Sequence, residues 1–423
     1  MRLWVRITSL VMALVISVSA LASCSLSPLE VVGSRVNEMG EVIIIYSNGS
    51  EVNIGIIGEG DQTSYNINAE DNGISNAASR GITSAVSISA TFTIGHYAGG
   101  FFSSTAESRG SGVIYRLDKS SGEAFIITNY HVIYNAESTA SNGISNDIKV
   151  FVYGSEDAEY AIPATFVGGS IYYDIAVLHV ASSELMKRAS VSAVTVCEQM
   201  DASVGETAIA VGNPEGAGIS ATLGVVSVDS EYIVMESLDG LSAVSQRVMR
   251  VDTAINSGNS GGGLYNSHGE LIGIVNAKIA DAEVENIGYA IPASVAIPVA
   301  DNVIDNCFGK TNKSLLRPML GITLGSSNAG AVINPETGLI TKTESVLVSA
   351  VNRGGLADGV LKSGDIITEI KIGEKVVAIT RSHHVIDTLL NARIGDVVEI
   401  KVLRLGEEKT AEIMINESAL TKY

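Results

Sequence analysis

Short runs of Val, Ile, Ser and Thr, closed every few residues by Gly, Asn or Asp, recur along most of this chain. Such runs specify strands and turns rather than helices. With 43 Gly and only 5% aromatic residues, the expected fold class is mainly β, built from many short strands. The 423 residues exceed what one hydrophobic core supports and divide into two or three domains. The formal net charge is −19 although only 17% of residues are charged. That balance keeps a protein soluble and argues against nucleic acid as a partner, which requires a basic face.

The first 23 residues read as a targeting segment. Arg2 and Arg6 give a basic start, and the apolar stretch from Ile7 to Ala20 is short for a membrane span. It ends at Leu21-Ala22-Ser23-Cys24. A large aliphatic residue, two small ones and a cysteine resemble the lipobox of bacterial lipoproteins. That resemblance implies removal of residues 1–23 and a diacylglyceryl thioether on Cys24, a two-chain anchor strong enough to hold a protein on a membrane. Read as a lipoprotein, as an ordinary secreted chain or as one that retains the segment as an anchor, the mature protein is expected outside the cytoplasm, in the bacterial cell envelope. Cys197 and Cys307 lie far apart and show no CxxC or Cys/His spacing, so no metal or other cofactor is expected. The sequence leaves them paired or singly buried, and the apolar run Val194–Cys197 favours buried free thiols.

Residues 24–60 combine the anchored N-terminus with a small β-hairpin module. Its strands are Glu41–Tyr46 and Glu51–Ile56, joined by the Asn48-Gly49 turn signal. Residues 61–84, rich in Ser, Asn, Gly and Ala without periodicity, read as a flexible linker. Residues 85–305 carry the chemistry, 306–316 read as a second linker, and 317–416 form a last domain.

The chemistry centres on Gly258-Asn259-Ser260-Gly261-Gly262. A serine hydroxyl needs an adjacent base to act as a nucleophile, and backbone N–H groups aimed at the oxygen that becomes negative. Gly258 can adopt a backbone conformation barred to other residues. The oxyanion hole is therefore assigned to the N–H groups of Gly258 and Ser260, with Asn259 between them. Gly261 and Gly262 leave room for substrate. Of the six histidines, His131 ends the apolar segment Ala124–Val132, where a rigid element can position a base. His96, His268, His383 and His384 read as surface residues and His179 as structural. Asp174, just before the apolar run Ile175–Leu178, fits the carboxylate that orients the histidine. The order His, Asp, Ser is that of the chymotrypsin fold.

The segments TNYHV, DIAVL, AVGNP and GNSGG, with VDTAIN before the last and NIGYAIP after it, resemble the HtrA (Deg) family of ATP-independent serine proteases. The resemblance implies two six-stranded β-barrels with His131, Asp174 and Ser260 as the triad. It places Asp252 and Asn256 in the segment that shapes the side receiving the substrate residue before the cleaved bond, and implies a preference for small aliphatic residues there; Ala254 and Ile255 of the same segment, small or apolar, agree with it. Gly273, Ile274, Val275, Asn276 and Ala277 would form the strand that pairs with extended substrate, residues 229–247 a switching loop, and the protease domains a homotrimer. Three positions depart from the pattern: Ser257 and Gly263 stand where the family more often has proline, and Tyr173 where it more often has Ser or Thr.

Leu320-Gly321-Ile322, followed by Gly354-Gly355-Leu356-Ala357 and Gly364-Asp365-Ile366-Ile367, looks like a PDZ domain. Leu320, Gly321 and Ile322 would receive the C-terminus of a peptide that adds a strand to the sheet edge, beside a helix from His384 to Ala392. The expected function is that of an endopeptidase acting on unfolded or extended polypeptides at the extracytoplasmic membrane surface. The alternatives are a non-cleaving PDZ chaperone or adaptor, and a protease dedicated to one regulatory substrate.

Overall fold

The computed structural model describes residues 31–36, 41–46, 51–56, 73–97, 101–152, 160–214, 218–277, 287–333 and 340–422. Cys24 and residues 61–72 lie outside these. Residues 1–66 and 67–423 form two separate units.

In the first unit, strands β1 (Val31–Val36), β2 (Glu41–Tyr46) and β3 (Glu51–Ile56) make an antiparallel sheet in the order β1-β2-β3. The expected hairpin is thus three-stranded. Gly33, Ser34 and Arg35 interrupt the apolar pattern of β1 and hide it in the sequence.

The second unit begins with helix α1 (Gly73–Ser84), where the linker was expected to continue. Its buried residues are Ala77, Gly81 and Ser84, spaced by four and three so that they share one helical face. Two closed barrels follow. Strands β4 (Ala85–Tyr97), β5 (Phe101–Asp118), β6 (Glu123–Thr128), β7 (Asp147–Val152), β8 (Ile162–Ser170) and β9 (Ile175–Val180) close the first. Along β4, Val86, Ile88, Ala90, Phe92 and Ile94 alternate inward and fill its core, the period-2 pattern of a half-buried strand. One helical turn, α2 (Tyr130–Ile133), follows β6, and α3 (Glu184–Arg188) follows β9.

Strands β10 (Thr207–Gly212), β11 (Ser220–Glu236), β12 (Ala243–Val251), β13 (Gly263–Tyr265), β14 (Leu271–Val275) and β15 (Gly288–Pro292) close the second barrel. Pairing of β11 with β12 runs from Val226↔Val251 to Glu236↔Ala243. The region 229–247, expected as a switching loop, is therefore mostly a regular hairpin. Helix α4 (Ala293–Cys307) packs its Val295, Val299 and Val303 into a cluster with Ile127 and Val177 of the first barrel and Ile209 and Ile274 of the second. The barrels are thus fixed against each other by shared apolar burial, the dominant favourable term in packing.

The second linker is also laid down on structure. Gly169 donates to the Lys313 carbonyl, Leu315 donates back to Gly169, and Leu315 is fully buried. Strand β16 (Leu316–Pro318) leads into the last domain. Its sheet runs β17 (Ile322–Ile333), β18 (Ile340–Val351), β19 (Ile366–Ile372), β21 (Val397–Arg404), β22 (Glu407–Met414), with β20 (Lys375–Ala378) on β19 and helix α5 (Ser382–Leu389) alongside. Strand β23 (Leu420–Lys422) returns to pair with β16. Among the described residues no helix is long and apolar enough to cross a membrane. Cys197 is half-buried and Cys307 buried, both as free thiols; burial pushes the Cys307 thiol up to about 11.

Candidate active site

The two barrels bring three side chains from three turns to their junction. His131 sits on α2, at the end of β6. Its Nδ1 lies 2.7 Å from Asp174 Oδ2, and its backbone N–H donates to Asp174 Oδ1 at 2.9 Å. Asp174 occupies the turn before β9 and is 2% exposed. Its backbone carbonyl accepts from the Asn129 side chain at 2.9 Å and from the Tyr130 N–H at 3.2 Å. Asn276 Nδ2 adds a hydrogen bond to Asp174 Oδ2 at 2.9 Å. A carboxylate bonded to Nδ1 keeps the ring proton there and leaves Nε2 as the proton acceptor.

Ser260 comes from the second barrel, in the turn before β13, and is bonded to the first. Its carbonyl accepts from the Ser111 N–H of β5 at 2.8 Å. Ser111 Oγ donates to the Gly258 carbonyl at 2.7 Å and accepts from the Asn213 N–H at 2.8 Å. Gly258 has φ +93° and Ser257 is not among the positive-φ residues; the Asn259 N–H closes the turn on the Asn256 carbonyl at 3.0 Å. A positive φ at the third position only is the signature of a type II turn, which requires glycine there. The hydroxyl of Ser260 accepts from the Ala277 N–H at 3.1 Å, and among the described residues it makes no hydrogen bond to His131.

The other glycines of the motif serve a different purpose from the one expected. A Cβ on Gly261 would stand 2.2 Å from the Ser111 carbonyl oxygen, and one on Gly262 2.3 Å from that of Val211. The space they leave is filled by barrel backbone, not substrate. Gly263, standing where proline is commoner, makes room for Tyr265: a Cβ there would lie 2.4 Å from its hydroxyl. That hydroxyl reaches Ser84 of α1 at 2.8 Å.

The segment before Ser260 divides by exposure. Asp252 is exposed and its Oδ1 accepts from the Val225 N–H at 2.6 Å, so its charge ties the segment to β11 rather than lining the floor of a pocket. Ala254 and Asn256 are exposed, and Ile255 is half-buried against Gly288. Gly273, Ile274 and Val275 do not offer a strand to substrate. Gly273 and Ile274 pair with β13, all three pair with β15, and the Val275 N–H and C=O bond Gly262 and Gly261, so no edge is free. Of that stretch, Asn276 and Ala277 remain at the site, and Asn276 is turned to Asp174. A depression of about 290 Å³ beside His131 is lined by Tyr134, Asn135, Ala136 and Leu238, the last from the tip of the β11–β12 hairpin. Burial pushes the nearby Tyr130 hydroxyl up to about 12.

In the last domain, Leu320 is buried, Gly321 has φ +76°, and Ile322 begins β17, the edge of the sheet. The Leu320 and Gly321 carbonyls accept from Ala357 and Asn352, which fixes the loop. His268 is exposed as expected, but His383 and His384, read as surface residues, are 3% and 6% exposed. They face Asp201 of the protease part, which also meets Arg247 Nη1 at 3.3 Å. Arg247 pairs in turn with Asp387 of α5. The local sequence around these histidines holds no sign of the domain that covers them.

Two closed barrels with a serine, a histidine and a buried carboxylate at their junction define a chymotrypsin-like serine endopeptidase. Residues 110–274 match the trypsin-like peptidase domain family and residues 318–415 the PDZ domain family. The chain is 34% identical over 324 residues to Serine protease Do-like HtrA of Lactococcus lactis subsp. cremoris (strain MG1363), covering 74% of this chain and 71% of that protein. The chain belongs to the HtrA family of serine proteases. Serine protease Do-like HtrA of Bacillus subtilis (strain 168) is 31% identical over 321 residues, covering 74% of this chain and 64% of that one. Periplasmic pH-dependent serine endoprotease DegQ of Escherichia coli (strain K12) is 30% identical over 313 residues, covering 74% and 60%. Among solved structures, HtrA-type protease AlgW with decapeptide shares 25% identity over 81% of this chain and 98% of that one, with a TM-score of 0.48.

Proposed function

We propose that Ser260 is the nucleophile of this protease, His131 its general base and Asp174 the carboxylate that fixes the imidazole tautomer and stabilises the imidazolium. The observation that carries this reading is the 2.7 Å contact of His131 Nδ1 with a buried Asp174 across the barrel junction from Ser260. The Ser260 hydroxyl leaves the Ala277 N–H and bonds His131 Nε2 when substrate is seated; catalytic hydrogen bonds commonly tighten only then. It adds to the scissile carbonyl as its proton passes to His131. The Gly258 and Ser260 N–H groups hold the oxyanion, one such donor being worth about 3 kcal/mol of barrier. His131 then protonates the leaving amine, and water releases the acyl group by the reverse proton path. With Asp252 tied to β11 and Ala254 and Ile255 small or apolar, the cleavage position takes small aliphatic residues.

The substrates are unfolded or extended polypeptides, since no P-loop motif is present to power unfolding. They are cut at the outer face of the cell envelope by a chain anchored through Cys24, in homotrimers. The Leu320–Ile322 loop and the β17 edge receive a peptide C-terminus from a substrate or an activator. A fluorophosphonate probe tests the core of this reading. Labelling of Ser260 in the wild type, in the presence of a PDZ-binding peptide, and its loss in Ser260→Ala are expected. An unlabelled wild type would leave a non-cleaving adaptor. A terminal-labelling survey of cell-surface proteins, wild type against Ser260→Ala, separates general turnover (many targets) from a single regulatory cleavage.

A further inference from the structure

The described residues hold one group of three potential metal-ligating side chains in His and carboxylate combination: Asp201, His383 and His384, whose donor atoms all lie within 4.8 Å of one another. Asp201 lies on the segment leading into β10 of the protease part. The histidines are neighbours on the first turn of α5 in the PDZ domain. Successive residues of a helix project about 100° apart, so one group meets both only by sitting astride the turn. Asp201 does so: His383 Nε2 lies 2.8 Å from its Oδ1 and His384 Nε2 2.9 Å from its Oδ2.

Two imidazoles and a carboxylate make a donor set suited to zinc and its first-row divalent neighbours. Arg247 and Arg381 reach Asp201 at 3.3 and 3.8 Å, and each also holds a carboxylate of its own, Asp387 and Asp229. His384 Nδ1 accepts from the Thr380 N–H at 3.4 Å and lies 3.5 Å from Thr380 Oγ1; a ring ligating through Nε2 would carry its proton on Nδ1, so metal binding would displace the Thr380 N–H and turn that proton to Oγ1. Around an ion at about 2.0–2.1 Å the donors would stand about 3.3 Å apart. The present 2.8 and 2.9 Å separations need open by only about 0.5 Å, at a contact between two domains.

We propose that Asp201, His383 and His384 form a binding site for zinc or a similar divalent cation, with ligands drawn from both the protease and PDZ domains, so that a bound ion clamps α5 against the second barrel. Water completes a four-coordinate shell. The site is distinct from the triad and enters none of its steps.

The test uses the untagged full chain, stripped with a chelator and titrated with Co²⁺, read by its visible ligand-field absorption. One Co²⁺ per chain, displaced by Zn²⁺, is expected. His383→Asn and His384→Gln, checked for folding by circular dichroism, each weaken binding more than about 100-fold, beyond the loss typical of an outer-sphere partner. Absence of stoichiometric binding by the wild type overturns the proposal, as does affinity within about threefold of wild type in either folded variant. Should the variants fail to fold, X-ray absorption on the Zn²⁺-loaded wild type decides: a shell with two imidazoles supports the site, and one without them refutes it.

Discussion

Ser111 ties the first barrel to the turn of the second that carries the proposed oxyanion donors, and Ser111→Ala isolates that role. The hydroxyl donates to the Gly258 carbonyl at 2.7 Å and accepts from the Asn213 N–H at 2.8 Å, with Ser111 itself fully buried. Alanine keeps the Cβ, so only the hydroxyl is lost. A buried carbonyl and a buried N–H are then left without a partner, at about 1–3 kcal/mol each. Gly258 can relieve its share, because glycine rotates without steric cost. If that carbonyl turns to find water, the Asn259 N–H in the same peptide swings off the Asn256 carbonyl, and the turn that presents the proposed oxyanion donor of Gly258 opens. The loss of one such donor corresponds to a roughly 100- to 1000-fold fall in kcat. Steady-state cleavage of a chromogenic peptide, with thermal unfolding followed in parallel, reads both effects. The expected result is a fall in kcat of about 100-fold or more with little change in KM, a matching slowing of fluorophosphonate labelling, and recovery in Ser111→Thr. A Ser111→Ala enzyme with kcat within about threefold of wild type but a lowered Tm would refute the reasoning. The hydroxyl would then be a stabilising contact that the oxyanion turn does not need.

Two further outcomes follow from packing and charge. A Cβ on Gly81 would stand 2.8 Å from Val211 and 2.9 Å from Tyr265, whereas nothing lies within 4 Å of one on Gly73. Gly81→Val should therefore cost about 2–3 kcal/mol of stability, seen as a lower Tm, and Gly73→Ala should stay within about 0.5 kcal/mol. In the PDZ domain, Arg404 grips Asp365 through two 2.7 Å hydrogen bonds and holds its carboxyl below the usual range. The folded state thus favours the ionised form. The resulting stability is complete above the unfolded carboxyl's pKa, near 4, and is lost as pH falls through the lower folded value. Asp365→Asn should lower Tm at pH 7 and flatten the acid limb of a Tm-against-pH curve; an unchanged acid limb would contradict the assignment.

The residues proposed as the triad were legible as candidates because each lies inside a contiguous motif beside a strand; the structure pairs His131 with Asp174, and Ser260 bonds the Ala277 N–H. What the sequence hid depends on contacts between distant segments. Helix α1 buries Ala77, Gly81 and Ser84, small residues whose composition matches a spacer; only their four-and-three spacing betrays the packed face. His383 and His384 look exposed until the protease part is placed over α5. Asn276, expected to pair with substrate, turns its side chain to Asp174, and the strand before it, β14, is paired on both sides. Ser111 carries no motif, yet Gly110-Ser111-Gly112 inside a strand is a signal. A Cβ at Gly110 would stand 2.6 Å from Val132 and one at Gly112 2.7 Å from Ile126, and glycine within a strand often marks close approach by other groups.

Asp174 adopts φ +49°, in the left-handed region that Asp and Asn tolerate better than other side chains. The position is therefore filtered twice, once by backbone shape and once by charge. Glutamate would supply the acid but resist the conformation and reach too far. Glycine would accept the conformation and leave His131 without its anion. Asparagine satisfies the backbone and the shape, but it removes the charge and sets an amide NH2 against the His131 N–H or the Asn276 amide, since both carboxylate oxygens accept hydrogen bonds here. Aspartate alone passes both filters, and its replacement by asparagine tests the proposed role of the anion with the least disturbance to the backbone.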